Sequence, residues 1–325
     1  MTVQRLPWLI PLLVLMLAVV SALSLLAGKV WIPPEALIAG DERWPIIAEL
    51  RIPRVVLALL IGSGLGMAGA AMQGYLRNPL ADPGLFGVSA TAALGAVVSI
   101  FFGLAATPFV LSGFALAGAA LAVLLLSIIA GQSGSVIVFT LAGVVISSLA
   151  GALTALVISL APTPFATGQI VNWLMGALTD RSWDEVMWAA PLIVLGMGVI
   201  TSAGRALDAL TLGEAAARTL GVRPVVLQAQ IVIGVGLVVG ASVAAAGIIG
   251  FVGLIVPHLI RPLTDRRPSA VLLPSALAGA LLLLMADTAV RAAPTVSELR
   301  LGIAMSLLGA PFFLALLLKM RRQIG

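Results

Sequence analysis

Few side chains in this sequence could carry chemistry, and their spacing favours ion pairing over catalysis. The chain has one histidine, His258, and no cysteine, which excludes multi-histidine and thiolate metal sites and a cysteine nucleophile. Asp287 lies four residues before Arg291, one helical turn away, and we predict a structural ion pair that holds Arg291 facing outward. Arg51, Arg54 and Arg291 are expected to meet either acidic side chains of another protein or, alternatively, lipid headgroups or loops.

The groups that would supply energy or catalysis are missing from the sequence. No carboxylate pair lies at the centre of an apolar run, which disfavours a proton- or sodium-coupled carrier. The P-loop pattern is absent, so we expect no ATP binding by the chain itself. An ion-coupled secondary transporter remains the first alternative, followed by an intramembrane enzyme and a structural scaffold. The favoured interpretation is a permeation subunit, not an enzyme, that is driven by a separate protein.

The composition is that of a membrane protein. Of 325 residues, 61% are hydrophobic and 10% are charged, and the mean hydropathy is +1.18. Soluble domains carry about 25% charged residues, so this chain has too few polar side chains to cover a surface in water. The net charge of +5 is expected to come from lysines and arginines in cytoplasmic loops and not from a nucleic-acid site.

Apolar runs predict an all-α polytopic membrane protein with about ten transmembrane helices in a single domain, residues 1–325. A bilayer crossing needs about 20 apolar residues. The first run is longer than a signal peptide's apolar region, so we expect it to be retained. The eighth is short, and we expect it to begin within 244–247. The predicted spans are 8–28, 55–75, 87–105, 109–130, 136–160, 186–203, 225–247, 249–261, 271–290 and 302–319.

Charge distribution predicts the orientation of these spans. An even number of spans places both termini on one side of the membrane. With the N-terminus inside, eleven of the 18 lysines and arginines fall in inner segments and seven in outer ones. Because basic residues are enriched in cytoplasmic loops, both termini are predicted to be cytoplasmic.

Three connecting segments are long enough to have structure or function of their own. The segments 29–53 and 161–185 are predicted to be outer loops, and the second is expected to hold a short helix within 169–176. The inner segment 204–223 is predicted to form one or two short helices at the cytoplasmic surface. Glu214 and Arg218 have the favourable spacing for a helical ion pair.

Small residues are dense within several runs, notably at Gly62, Gly64, Gly66 and Gly69. Helices associate in lipid largely through close packing, which small residues permit. The Gly-x-Gly-x-Gly pattern has no preceding strand, so we interpret it as helix packing and not as a nucleotide site.

Five ordered motifs, which together cover nearly the whole chain, resemble the permease subunits of binding-protein-dependent ABC importers for vitamin B12, haem and ferric siderophores. The motifs are Arg51-Ile-Pro-Arg54; Met72-Gln-Gly with Arg77-Asn-Pro-Leu-Ala-Asp-Pro-Gly-Leu-Phe-Gly-Val-Ser89; Leu212-Gly-Glu-Ala-Ala-Ala-Arg-Thr-Leu-Gly-Val222; Gly250-Phe-Val-Gly-Leu-Ile-Val-Pro-His-Leu-Ile-Arg261; and Ala286-Asp287 with Arg291, Glu298-Leu-Arg-Leu-Gly302 and Gly309-Ala-Pro-Phe-Phe313.

The resemblance implies a vitamin-B12-permease-like fold and a set of partners. These are a second copy of the chain, two cytoplasmic ATPase subunits that bind ATP and Mg, a periplasmic substrate-binding protein and the lipid of the bacterial inner membrane. It implies no cofactor or metal in this chain. Transport would proceed by alternating access, with rigid-body movement of the spans.

The resemblance also implies roles for individual residues. It places binding-protein docking on the three outer arginines, a cytoplasmic gate on three residues of two segments, and ATPase coupling on the segment 204–223. These residues are Arg51, Arg54 and Arg291 for docking; Asn78, Leu80 and Leu141 for the gate; and Leu212, Gly213, Glu214, Arg218 and Gly221 for coupling.

Two departures from the family pattern lie near these sites. A hydroxyl pair before the fifth span is replaced by Val136-Ile137, with Ser133 and Ser135 nearby, and Arg300 stands where the family has proline. The sequence does not identify the substrate. An iron siderophore or haem is favoured because such family members are numerous, with cobalamin next and an oxyanion also open.

Overall fold

The computed structural model describes residues 7–37, 41–105, 107–131, 135–295 and 297–324; Ser133 lies outside the described residues. These parts of the chain form thirteen α-helices and no strand. The helices are α1 Leu9–Leu26, α2 Ile52–Tyr75, α3 Val88–Phe101, α4 Pro108–Ala130, α5 Val136–Ser159, α6 Pro164–Leu174, α7 Trp183–Ser202, α8 Gly204–Leu210, α9 Glu214–Thr219, α10 Pro224–Ala246, α11 Val252–Ile260, α12 Pro268–Ala292 and α13 Leu301–Ile324.

The helix count confirms the predicted fold class. Each of the ten predicted spans contains one helix, and the three remaining helices (α6, α8 and α9) are short. Among the described residues, seven helices are long and apolar enough to cross a membrane, and three shorter apolar helices accompany them. Short helices in the segments 161–185 and 204–223 are also confirmed, although the first of them begins at Pro164 and not within 169–176.

Two predicted boundaries are wrong. The eighth helix begins at Val252 and not within 244–247, because Gly247 ends α10 with φ +73° and Phe251 adopts φ +69° before the new helix starts. With nine residues, α11 is about 13 Å long at 1.5 Å per residue, too short to span a bilayer. The segment 29–53 is not all loop, since a π-helical turn, Ile46–Arg51, runs directly into α2.

Helix α2 lies at the centre of the bundle and packs against α12, α11, α7 and α10. In the most apolar stretches of α2 and α10, 78% of the residues are buried. The buried share is 28% in the corresponding stretches of α4 and α5 and 17% in that of α1. The exposed faces of these outer helices are themselves apolar, as Leu15 and Leu124 illustrate. This distribution is typical of a bundle whose outer helices face lipid or another subunit.

Glycines bring the backbone of α2 into direct contact with its neighbours. A Cβ atom on Gly66 would meet the Ser275 carbonyl oxygen of α12, and one on Gly69 would meet the Gly253 backbone of α11. On the opposite side of the α2–α12 contact, a Cβ atom on Gly279 would meet the Gly62 carbonyl oxygen. The glycine run within 62–69 therefore serves helix packing, as predicted.

We predict that Gly279→Ala destabilises the bundle by about 1–3 kcal/mol, because the added methyl group forces α2 and α12 apart. Gly198→Ala on α7 is the matched control, since nothing lies within 4 Å of its Cβ position. The control should be neutral or slightly stabilising. Thermal unfolding of both variants in detergent checks this, and equal midpoints for the two would contradict the packing role of Gly279.

Candidate functional site

A buried ion-pair cluster joins three segments at one end of the bundle, which we call the Arg54 face. Arg54 of α2 donates from Nη2 to Asp287 of α12 at 2.8 Å and from Nη1 to Glu298 at 3.1 Å. The Thr179 hydroxyl donates to Glu298 at 2.6 Å. Asp287 is completely buried, so its carboxylate depends on Arg54 for compensation of its charge.

The expected ion pair between Asp287 and Arg291 is therefore wrong. Although the two residues are one turn apart on α12, Asp287 faces α2 and Arg291 faces α1. The Arg291 guanidinium donates to the Ser24 carbonyl oxygen at 2.6 Å and to the Ser24 hydroxyl at 2.8 Å. Arg291 does not face outward, since only 6% of the residue is exposed.

Arg51 completes the set of three arginines that were predicted to dock a binding protein. Its guanidinium donates to the Leu25 carbonyl oxygen at 2.7 Å and the Val30 carbonyl oxygen at 2.9 Å, at the end of α1. All three arginines are buried and tie the ends of α1, α2 and α12 together. Their role in docking stays a prediction.

Arg300, the departure from the family pattern, lies beside a cavity of about 320 Å³ on the same face. Its guanidinium donates to Asn172 of α6 at 3.3 Å, so the replacement of proline adds a link to α6. Burial of the neighbouring Glu298 opposes its ionisation. The Thr179 hydroxyl and the Arg54 guanidinium outweigh that effect and hold the pKa of Glu298 below its ordinary value.

At the opposite end of α2, a tight turn precedes α3. Arg77 adopts φ +51°, the Asn78 side chain accepts from the Leu80 backbone at 2.9 Å, and the Asp82 side chain accepts from the Gly84 backbone at 2.7 Å. Asn78 is exposed and Leu80 is half-buried. We call residues 77–87 the gate turn, after the predicted role of Asn78 and Leu80.

Helix α5 holds the gate turn in place. The ring of Phe86 stacks on Phe139 with centroids 4.7 Å apart, and the Ser147 hydroxyl donates to the Leu85 carbonyl oxygen at 3.3 Å. Leu141, the third predicted gate residue, is 61% exposed and points away from this contact. Its place in a gate stays a prediction.

A cavity of about 370 Å³ lies between α5, the gate turn and the turn that precedes α11. Most of its wall is apolar, and its polar groups come from Asp82, Ser89, Ser147 and Ser148. Sequence reasoning missed the two serines of α5. Their position three and four residues after Val144, which lines the same cavity, is the helical spacing that could have revealed them.

Helices α8 and α9 form a structured pair at the gate-turn end of the bundle, which we call the α8–α9 face. Gly213 begins α9 with φ +100° and Gly221 follows it with φ +87°, conformations that glycine adopts without strain. Leu212 between the helices is 66% exposed. The predicted Glu214–Arg218 pair is wrong, because Glu214 pairs with Arg77 of the gate turn at 3.9 Å.

A further contact attaches this pair to the bundle, and it was not expected from the sequence. The Asp208 carboxylate of α8 accepts from the backbone N–H of Ser269 at 2.9 Å and from its hydroxyl. Tyr75, at the end of α2, lines a small cavity together with Glu214. The first turn of α12 has unpaired N–H groups that attract a carboxylate. This preference is the sequence signal that could have predicted the contact with Asp208.

The chain was compared with known proteins. It matches the FecCD transport family over residues 15–319. The chain belongs to this family. It is 39% identical to the vitamin B12 import system permease protein BtuC of Salmonella typhi over 320 aligned residues. The aligned region covers 97% of this chain and 96% of that protein.

Two other relatives agree with this assignment. YvrB of Bacillus subtilis (strain 168), an uncharacterized ABC transporter permease protein, is 43% identical over 288 residues, 85% of this chain and 80% of YvrB. An inward-facing structure of a metal-chelate type ABC transporter superposes with a TM-score of 0.89 at 30% identity, over 96% of this chain and 99% of that one. This FecCD member is therefore a type II ABC importer permease, which is a transport protein and not an enzyme.

We predict that Arg54→Met lowers the free energy of unfolding by about 3–5 kcal/mol, because it leaves the buried Asp287 carboxylate unpaired. The double variant Arg54→Met/Asp287→Leu should recover most of this loss. Arg43→Met, which breaks an exposed pair with Asp41, is the control and should have little effect. Thermal unfolding in detergent measures all three, and a double variant no more stable than Arg54→Met would refute the pairing.

Proposed function

We propose that two copies of this chain form the membrane core of an importer in the bacterial inner membrane, with both termini cytoplasmic. Two ATPase subunits bind the α8–α9 face, and a periplasmic substrate-binding protein binds the Arg54 face. The observation that carries this proposal is the ordered α8–α9 pair, in which Glu214 contacts the gate turn through Arg77 and Asp208 contacts α12 through Ser269.

The α8–α9 contacts support a route for coupling. A displacement of α9 by an ATPase would pull on Arg77 and with it on the turn that holds Asn78 and Leu80. A displacement of α8 would pull on the start of α12 through Asp208. Leu212, exposed between the two helices, supplies an apolar contact for the ATPase. Arg218 and Gly221 complete the coupling segment.

Docking on the Arg54 face would rest on shape as much as on charge. Arg51, Arg54 and Arg291 are engaged within the chain, and their bonds fix the ends of three helices. Glu298, with 17% of its side chain exposed, is the accessible member of the cluster. An acidic side chain of a binding protein would approach Arg54 by displacing Glu298, and Arg300 offers a second cation nearby.

The substrate is proposed to be a metal chelate. The cavity beside the gate turn is mainly apolar with few polar groups, which suits a large, weakly charged solute. Cobalamin is the first candidate because the relative with a named substrate is a vitamin B12 permease. Haem and a ferric siderophore follow. The ligand retained by the purified binding protein identifies which of them is transported.

Reconstitution in liposomes tests the proposed function. Vesicles that contain the permease, its ATPases and its binding protein should accumulate the chelate when ATP is supplied on the ATPase side. Vesicles that contain the permease alone should accumulate nothing, with or without a proton or sodium gradient. Gradient-driven accumulation by the permease alone would replace this proposal with the secondary-transporter alternative.

We predict that Gly213→Ala abolishes import in the assembled transporter while membrane insertion and ATP hydrolysis persist. The native φ of +100° with ψ of 157° is open to glycine alone, so the methyl group reorients the start of α9. Gly168→Ala on α6 is the matched control, because nothing lies within 4 Å of its Cβ position. Normal import by a Gly213→Ala or Gly213→Pro variant would rule out this coupling role.

A further inference from the structure

A cationic cavity of about 540 Å³ opens on the α8–α9 face, between the end of α7, α8 and the start of α10. Arg205 and Arg223 line it, together with Ser202 and Gln230. Nothing in the coupling route described above uses these four side chains. The cavity therefore needs an explanation of its own.

The two arginines carry positive charge that no acidic residue balances. Both are exposed, and neither forms an ion pair within the described parts of the chain. No aspartate or glutamate lines the cavity. The acids of the same segment are bonded elsewhere, Asp208 to Ser269 and Glu214 to Arg77. Two uncompensated guanidinium groups at one cavity favour an anion with several oxygen atoms.

Helix α10 adds to this preference. It begins directly after Arg223, and it is 23 residues long, so its positive dipole end and unpaired first-turn N–H groups lie at the cavity. One N–H of the Gln230 amide donates to the Ser202 hydroxyl at 3.1 Å, which leaves the second N–H for a ligand. The two arginines are therefore joined by hydrogen-bond donors from the Gln230 amide and the start of α10.

A separate apolar groove of about 510 Å³ lies farther along α10. It lies between α4, α7 and α10, and its walls include Ala120, Leu192, Ile233 and Leu237. Gln230, Ile233 and Leu237 follow one another at three- and four-residue spacing, so they share one face of α10. Ile233, the first groove residue on α10, therefore lies about 4.5 Å along the helix axis from Gln230, which lines the cavity.

The groove faces out of the bundle and not into it. On its walls, Leu124 is 55% exposed and Ile233 is 45% exposed. A cationic cavity at the end of the spans, followed along α10 by an apolar groove, has the polarity of a phospholipid, which carries a charged headgroup and apolar acyl chains.

We propose that the cavity and groove together bind one anionic phospholipid. Its phosphate contacts Arg205 and Arg223 at the N-terminus of α10, and one acyl chain lies in the groove between α4, α7 and α10. An acidic side chain of an ATPase would satisfy the arginines but leave the groove empty, so the lipid is the occupant that explains both. The site does not depend on which substrate is transported.

Native mass spectrometry of the purified permease, without its ATPases, tests the headgroup site with phosphatidylglycerol as the probe and phosphatidylcholine as the neutral comparison. The unmodified protein should retain phosphatidylglycerol preferentially. Arg205→Gln/Arg223→Gln should lose that preference by tenfold or more. Arg266→Gln/Arg267→Gln, which removes the same charge from exposed positions that do not line the cavity, should keep it. Equal loss in both double variants, or retention in both, would overturn the proposal.

A second pair of variants tests the groove. Ala120→Phe fills the groove and should also lower phosphatidylglycerol retention, although it changes no charge. Ala117→Phe, at an exposed position of α4 outside the groove, is the control and should not. If Ala120→Phe retains the lipid as well as the control does, the acyl chain is elsewhere. If the arginine variant keeps its preference for phosphatidylglycerol but fails to bind the ATPases when they are added back, the cavity is a protein contact and the proposal is wrong.

Discussion

Direct backbone contact between α2 and its neighbours is the constraint on which the rest of this structure depends. Apolar helices gain no hydrophobic free energy by associating in lipid, because the lipid tails are equally apolar. Close packing and paired polar groups must therefore hold the bundle together. Glycines of α2 supply the first through contacts with α12 and α11, and the Arg54–Asp287 pair supplies the second. Because these contacts interlock, α2 and α12 can move only as one body.

This central body connects the two faces of the permease. At one end Arg54 joins it to Glu298 and the Arg54 face. At the other end the Gln73 side chain accepts from Arg261 at 3.0 Å, which ties α2 to the end of α11. The gate turn follows α2 directly and meets α9 through Arg77. A stiff α2 therefore places the proposed gate, coupling and docking surfaces in fixed relation within one chain.

The sequence predicts what depends on neighbours along the chain and misses what depends on neighbours in space. Apolar runs predicted ten spans, each of which contains one helix, and glycine content predicted close packing. Four-residue spacing gave the wrong partner for Asp287 and for Glu214, because it reports only contacts on the same helix. Their true partners, Arg54 and Arg77, lie on other segments. Charge likewise located at one end the three arginines that are predicted to dock a binding protein, but only packing shows that their guanidinium groups turn inward.

The most direct measurement is a distance between a spin label on α1, which packs against α12, and one on α7, which packs against α2, while the partner ATPases bind ATP. The chain has no cysteine, so spin labels attach only at introduced cysteines. Leu15→Cys on α1 and Val194→Cys on α7 are both at exposed positions. One doubly labelled copy is diluted among unlabelled copies to isolate the distance within a chain. The account predicts that this distance stays the same with and without ATP, while the distance between Leu212→Cys labels on the two copies changes. A shift in the first distance as large as that in the second would contradict a rigid central body.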